Sequence, residues 1–277
     1  MPASGPSVGR PLAVVKGAGD LASGVAYRLH RVGFAVVLTE IPAPTVVRRP
    51  VSFAEAVHFG RWTVEGVEAV RASDAGEAVA ITAQGRVAVV VDPRAEIVGV
   101  LKPSLLVDAI IAKRNLGTRR DLAPAVVALG PGFTAGLDCH AVIETMRGHS
   151  LGRVIYSGAA IPNTGIPGEV GGFGAERVLR APASGVFTGS VAIGDTVAAG
   201  DVVGHVEGTS VRSNISGVVR GLLRDGVEVT PGFKVGDVDA RAEREHCFTI
   251  SDKALAIAGG VLEAAGTLLG GFRLAES

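Results

Sequence analysis

The chain has 277 residues, enough for two domains with hydrophobic cores of their own. Its 27 basic and 27 acidic residues balance, so it lacks the electrostatic footprint of a nucleic-acid or anionic-membrane binder. Two cysteines, Cys139 and Cys247, are too few for a disulfide framework or a cysteine metal site, and a reducing cytoplasm suits them.

Met1–Pro11 lacks an apolar core segment and reads as a flexible tail rather than a signal peptide. Leu12–Val15 is a short apolar strand. Lys16-Gly17-Ala18-Gly19-Asp20 follows, then a helical stretch over Val25–Val32 ended by Gly33, then a second strand, Ala35–Thr39, with Glu40 at its end. Strand, glycine turn, helix, strand and acid is the order of a dinucleotide-binding unit, and Gly17, Gly19 and Ala22 fit its fingerprint. In that reading Gly17 allows the tight turn, Gly19 lets a phosphate approach the backbone, Ala22 lets helix and strand pack closely, and Glu40 takes a ribose. Asp20 would crowd a diphosphate, and Lys16 partly offsets it. The alternative is a unit whose glycines serve packing alone.

Thr45–Glu55 joins Arg48 and Arg49 to an expected helix start, with Ser52 and Glu55 spaced as a capping box. A helix start beside two arginines suits an anion, and two solvated surface charges are the other reading. Further strands are expected at Val87–Val91, Leu105–Val107 and Ala125–Leu129, which argues a parallel sheet. Ligands of such sheets lie beyond the carboxyl ends of the strands. Lys16, Glu40, Asp92, Asp108 and the Gly130 loop are therefore expected to rim one crevice. Asp92 and Asp108 read equally well as ordinary caps. Lys113, Arg114 and Asn115 add polar donors that suit an anionic ligand.

Leu129–His140 is the densest stretch. Gly130, Gly132 and Gly136 offer amides to an anion. A helix is expected over Ala141–Arg147, placing His140 and Glu144 on one face. Asp138 and His140 are then the candidates for proton transfer or metal binding, against a bland reading as cap and surface pair. Cys139, a lone thiol, is expected to be buried. Asn163–Gly174 reads as a glycine-rich loop, either a linker or a lid.

Arg180–Val206 repeats at Arg212–Val238 with a constant offset of 32 and no gap. Ser184-Gly185-Val186 pairs with Ser216-Gly217-Val218, Gly194 with Gly226 and Gly200 with Gly232. Two short-stranded copies predict a small pseudo-symmetric β-sandwich. Ala254–Leu262 reads as a buried helix capped by Ser251 or Asp252.

Two resemblances follow from these motifs. Pro182–Phe187 and Gly194–Gly204 resemble the half-motif of biotinyl and lipoyl carrier domains, the barrel-sandwich hybrid. The hairpin between the copies, Glu207–Arg212, has no lysine for a covalent arm, so the module is expected to shape or dock rather than carry. The whole chain resembles the YqeB family through Val15–Leu29, Thr39-Glu40-Ile41, Pro44–Arg49, Val51–Val57, Val107–Ile110, Lys113–Thr118, Gly130–Asp138 with His140, and Gly171–Val178. That family implies accessory proteins that mature selenium-dependent molybdenum hydroxylases, with no settled chemistry and no catalytic residues to carry over. A molybdopterin dinucleotide would fit that role, its diphosphate resting on the glycine turns with Arg48, Arg49 or Lys113; NAD(P) is the ligand that the glycine fingerprint with Glu40 suggests. The implied partners are a molybdenum hydroxylase client or cofactor-assembly proteins.

The expected architecture is α/β. It consists of a Rossmann-like nucleotide domain over 12–150, a glycine-rich linker over 151–178, a barrel-sandwich hybrid over 179–240, and a C-terminal strand and helix packing back over 241–277. Expected ligand contacts are Lys16, Gly17, Gly19, Asp20, Glu40, Arg48, Arg49, Asp108, Lys113, Asn115, Gly130 and Gly132. The rival functions are an NAD(P)-dependent oxidoreductase and a non-catalytic adaptor. Catalysis, metal and oligomeric state stay open.

Overall fold

A computed structural model describes residues 10–271. The tail expected over Met1–Pro11 lies outside the described residues up to position 9. The fold is mixed α/β, with one large, mostly parallel sheet and additional antiparallel sheets.

The first part of the chain runs β1 (Leu12–Lys16), α1 (Asp20–Arg31), β2 (Ala35–Glu40), α2 (Ala56–Phe59), β3 (Arg61–Val64), β4 (Val67–Ala72), α3 (Ala75–Ala83), β5 (Val87–Val91), α4 (Ile97–Leu101), β6 (Leu105–Asp108), β7 (Ala125–Leu129), β8 (Thr134–Ala135), β9 (Ala141–Ile143), β10 (Val154–Ile155) and β11 (Gly158–Ala159). Nine of these strands form one sheet in the order β10-β9-β7-β6-β1-β2-β5-β4-β3. All neighbours are parallel except the two edge pairs, β3 with β4 and β9 with β10. The chain steps outward from β1 on one side and returns to place β6 on the other, so the winding reverses between β1 and β6. The carboxyl ends of strands flanking such a reversal open a crevice.

Alternate residues of each strand feed opposite faces. Val15, Leu38, Val89, Val107 and Val127 pack under α1, while Val14, Val37, Val90, Leu106 and Val126 pack under α3 and α4. The β3–β4 hairpin, which the sequence reading did not anticipate, turns on Glu65 and Gly66, with φ of 44° and 79°. Two successive positive φ values match the twist of a two-residue hairpin.

The helix expected over Ala141–Arg147 is absent. Ala141–Ile143 is instead β9, a fully buried strand paired in parallel with β7. Three buried apolar residues next to a sheet edge gain a hydrogen-bond ladder there, and a run this short cannot be assigned by pattern alone. Within the segment read as a linker, β10 extends the large sheet and β11 pairs with β8.

The repeat builds eight further strands: β12 (Val178–Arg180), β13 (Gly185–Gly189), β14 (Thr196–Val197), β15 (Val202–Val206), β16 (Thr209–Arg212), β17 (Gly217–Leu222), β18 (Glu228–Val229) and β19 (Lys234–Asp239). Gly185 and Gly217, Thr196 and Glu228, and Val202 and Lys234 open equivalent strands, each pair 32 positions apart. The two four-stranded sheets run β12-β19-β17-β14 and β16-β15-β13-β18. Replacing every strand of the first by its repeat mate gives the second, so each sheet takes two strands from each copy. Leu179, Phe187, Val206, Val219, Leu222 and Val238 fill the shared interior.

No strand follows β19 among the described residues, although one was expected in 241–277. A short 3-10 turn, Arg244–Cys247, leads to α5 (Asp252–Leu268). Ser251 caps α5 by accepting the Ala254 amide at 3.2 Å. Its buried face is built from Ala254, Ile257, Ala258, Val261 and Ala264, and these small residues bring it close against α1. α5 thus covers β7 and β9, whose own connections supply no crossover helix. No helix among the described residues is long and apolar enough to cross a membrane.

Candidate functional site

The turn after β1 is held from two sides. The Gly17 amide donates to the Thr39 carbonyl at 2.8 Å, and the Ala18 amide donates to Glu40 Oε2 at 2.9 Å. Glu40 Oε1 accepts the Ile41 amide at 2.8 Å. Gly17 has φ of 91°, and a Cβ there would stand 3.2 Å from the Ala109 carbonyl oxygen, so glycine serves close passage of the β6 loop. Burial pushes the Glu40 carboxyl up, and the two amides partly offset it.

Lys16 and Asp108, expected on the crevice rim, lie beneath it. Lys16 Nζ donates to Asp108 Oδ2 at 2.8 Å and to Thr118 Oγ1 at 2.6 Å, and the Thr118 hydroxyl donates to the same carboxylate. All three are buried, which ties β1, β6 and the following loop together. Removing one partner of such a pair strands a buried charge, at a cost of about 3–5 kcal/mol.

Asn115 locks that loop internally. Its Oδ1 accepts the Gly117 and Thr118 amides, and its Nδ2 donates to the Thr118 carbonyl and to Asp138 Oδ1. Asp138 Oδ2 accepts the Thr134 amide, and His140 Nδ1 accepts the Val126 amide at 3.0 Å. Burial, then Arg120, pushes the His140 imidazole down, consistent with a neutral acceptor. Glu144 accepts the Met146 and Ile161 amides from a position just after β9. The expected shared helical face of His140 and Glu144 does not exist. Among the described residues no group of three or more His, Cys, Asp or Glu side chains is placed to hold a metal. The glycine loop is likewise committed: Gly130 and Gly136 donate to the Ile143 and Cys139 carbonyls. A Cβ on Gly132 would stand 2.6 Å from the Arg114 nitrogen, so this glycine lets two loops touch.

The Ser52–Glu55 capping box is absent as well. Ser52 Oγ donates to the Arg48 carbonyl, and the Glu55 carboxylate pairs with Arg224 of the repeat module. Arg49 Nε donates to the Leu222 carbonyl at 2.8 Å. Both arginine-region motifs join the two parts of the chain rather than face solvent.

Two cavities open where the sheet reverses, and they share Asp20, Leu21 and Ile111. The first, of about 420 Å³, is lined by Gly17, Gly19, Thr39, Glu40 and Asp92; its only charged lining residues are the acids Asp20, Glu40 and Asp92. The second, of about 570 Å³, carries six cations: Arg48, Lys113, Arg147, Arg177, Lys234 and Lys253. Asp20, Glu144 and Glu169 are its acids. Together they make a groove with an acidic and a basic lobe. Of the expected contacts, Gly17, Gly19, Asp20, Glu40, Arg48 and Lys113 line it. Lys16, Arg49, Asp108, Asn115, Gly130, Gly132, Asp138 and His140 do not.

The basic lobe is assembled around Asp237, a 1%-exposed carboxylate of β19. Lys234 at 2.7 Å, Arg48 at 3.4 Å and Arg177 at 3.8 Å all converge on its Oδ2. Burial alone would raise this carboxyl, but Lys234 and Arg48 outweigh it and hold it well below the ordinary range. Three cations sharing one carboxylate leave positive charge for the groove. The sequence reading missed Arg147, Arg177, Lys234 and Lys253, which lie far apart in the chain. Lys253 did leave a signal, because a cation in the first turn of a helix opposes the helix dipole.

No family model matches the chain. It is 53% identical over 256 residues to the Escherichia coli K12 protein named "Uncharacterized protein YqeB". The match supports the YqeB family. It covers 92% of this chain and 47% of YqeB, so the chain spans about half the length of that curated relative. Among solved structures, an aspartoacylase family protein from Mesorhizobium loti aligns over 83% of this chain and 85% of its own, at 13% identity and a TM-score of 0.27. A succinylglutamate desuccinylase/aspartoacylase from Rhodobacter sphaeroides aligns over the same shares at 14% identity and a TM-score of 0.26. Likenesses at this level carry no argument about YqeB relatives.

Proposed function

We propose that this YqeB relative is an accessory factor that binds a nucleotide or a molybdopterin dinucleotide in the two-lobed groove, in the service of maturing a molybdenum hydroxylase. The observation that carries the binding reading is the polarity of the groove. A basic lobe suits a diphosphate, and an acidic lobe suits donor groups such as ribose hydroxyls or exocyclic amines. The strand order around β1 agrees with a Rossmann-like reading, in which ligands lie at the reversal of the sheet. The maturation role rests on the resemblance to the family.

The phosphate position differs from the one the glycine fingerprint implied. The Ala18 amide is already taken by Glu40, and the Asp20, Glu40 and Asp92 carboxylates around the turn oppose an anion there. The basic lobe beside it is the better seat. Lys234 of β19 and Arg177 just before β12 supply part of that lobe, so the repeat module shapes the site. Its two-copy strand exchange agrees with a barrel-sandwich hybrid without a carrier lysine, a module that walls or docks. The chain's own residues then do three things: hold the anionic part, orient the donor-rich part, and present the ligand to a client.

Mass spectrometry of small molecules that co-purify with the chain, with calorimetric titration of cytidine and guanosine nucleotides, NAD and NADP, tests this. A retained or saturably bound phosphate ester is expected. Binding of NAD with substrate-dependent hydride transfer would replace the proposal with an oxidoreductase. Capture of a molybdenum hydroxylase with no ligand binding would replace it with an adaptor.

A further inference from the structure

We propose that Lys253 is the residue that grips the ligand's phosphoryl group, and that α5 exists in part to deliver it to the basic lobe. The inference rests on the reading of the groove as an anion site and names the contact within it.

Lys253 differs from its neighbours. Arg48 and Lys234 are engaged with Asp237, Arg177 reaches Asp237 and the Gly168 carbonyl, and Arg147 is paired twice with Asp252. Lys253 and Lys113 both line the cavity with no hydrogen bond or ion pair among the described residues, but Lys113 is exposed on its loop whereas Lys253 is half-buried. Its surroundings also disfavour a free ammonium. Burial, then Arg147, then Arg48 and Arg177 push the amine down, against a partial offset from Asp20.

The backbone argues the same way. Asp252 and Lys253 open α5, where the helix dipole favours an acid and opposes a cation. A lysine placed against its helix, among arginines and without a partner, lacks a structural reason to be there. Proteins break such local rules mainly at functional sites. An anion delivered between Lys253 and the arginines supplies the missing partner. A phosphate ester or diphosphate fits best, because it presents several oxygens to donors arriving from α5, β19 and the loop before α2.

The test uses inorganic pyrophosphate as ligand and pyridoxal 5′-phosphate as an anionic aldehyde label. The label's aldehyde condenses with an amine to an imine and water, and borohydride then reduces the imine to a stable secondary amine for peptide mapping. Lys253 is expected to be labelled ahead of the exposed Lys102, and pyrophosphate is expected to protect it. In calorimetry, Lys253→Met should weaken pyrophosphate about tenfold or more, and Lys253→Arg should keep most of the affinity. The Met variant should unfold in urea at the wild-type midpoint or above it, since it removes a dipole conflict; a structural lysine would lower it. Wild-type binding with unchanged affinity in Lys253→Met overturns the assignment and leaves the groove reading intact. Failure of the wild-type chain to bind pyrophosphate or any nucleotide overturns both.

Discussion

Glu40 Oε2 accepts the Ala18 amide at 2.9 Å, so the acid expected to hold a ribose also fastens the turn expected to hold a phosphate. Replacing Glu40 by Ala leaves the Ala18 and Ile41 amides without acceptors, and should cost about 1–3 kcal/mol in urea unfolding at neutral pH. The pH dependence has a defined sign. Burial raises this carboxyl above its ordinary value of 4.5. Its protonated form is therefore favoured in the folded state. The stabilisation from that protonation is present below the ordinary value and is lost as pH rises through the folded one. Glu40→Ala should remove this slope, measured as unfolding midpoints across the acid range.

Asp237 carries the opposite sign. Its carboxyl is held well below its ordinary value of 3.8 by Lys234 and Arg48, against the effect of burial. Its contribution is thus complete above that value and is lost only as pH falls through the folded one. Asp237→Asn leaves Arg48, Arg177 and Lys234 without their shared counter-charge. It should cost about 3–5 kcal/mol at neutral pH, with the deficit shrinking only in strong acid. Urea titrations of both proteins between neutral and acid pH measure this.

Adjacent glycines of α5 should respond in opposite directions. A Cβ on Gly260 would stand 2.2 Å from the Gly152 carbonyl oxygen, whereas one on Gly259 meets nothing within 4 Å. Gly260→Ala should destabilise by about 1–3 kcal/mol through overpacking. Gly259→Ala should gain up to about 1 kcal/mol from helix propensity. For a chain of this size each kcal/mol moves the melting midpoint by roughly 2–4 °C, within reach of calorimetry.

Cys139 is fully buried, and its thiol is pushed up to about 12, by burial first and by Asp138 next. Cys247 is also buried and raised. A thiol-reactive disulfide reagent at mildly alkaline pH should leave both unmodified in the native protein and titrate both after unfolding. Rapid modification of native Cys139 would contradict its placement.

The legible parts of the fold are those with a strong local code. The β1 turn, α1 and β2 announce themselves by apolar runs and glycines, and the repeat by its constant offset. Ser251 announces α5 by its cap. Ala141–Ile143 was misread because three apolar residues take their structure from the neighbouring β7, not from their own pattern. Arg48 lines the basic lobe and Arg49 does not, and no local pattern separates them, because their partners, Asp237 and the Leu222 carbonyl, lie more than 170 positions away. The basic lobe was illegible for the same reason: Arg147, Arg177, Lys234 and Lys253 meet only once the repeat module and α5 have folded back. Gly17 was read as the glycine of a tight turn, and its φ of 91° fits that; the Ala109 carbonyl, 3.2 Å from where a Cβ would stand, is a second demand for glycine that no spacing rule shows.

The exchange of strands between the two repeat copies also limits what a shorter ancestor could have been. One copy alone supplies two strands to each sheet and leaves both incomplete, so it closes only by borrowing the same strands from another molecule. Gene duplication with fusion turns that encounter between chains into an event within one chain, and makes the closed form independent of dilution.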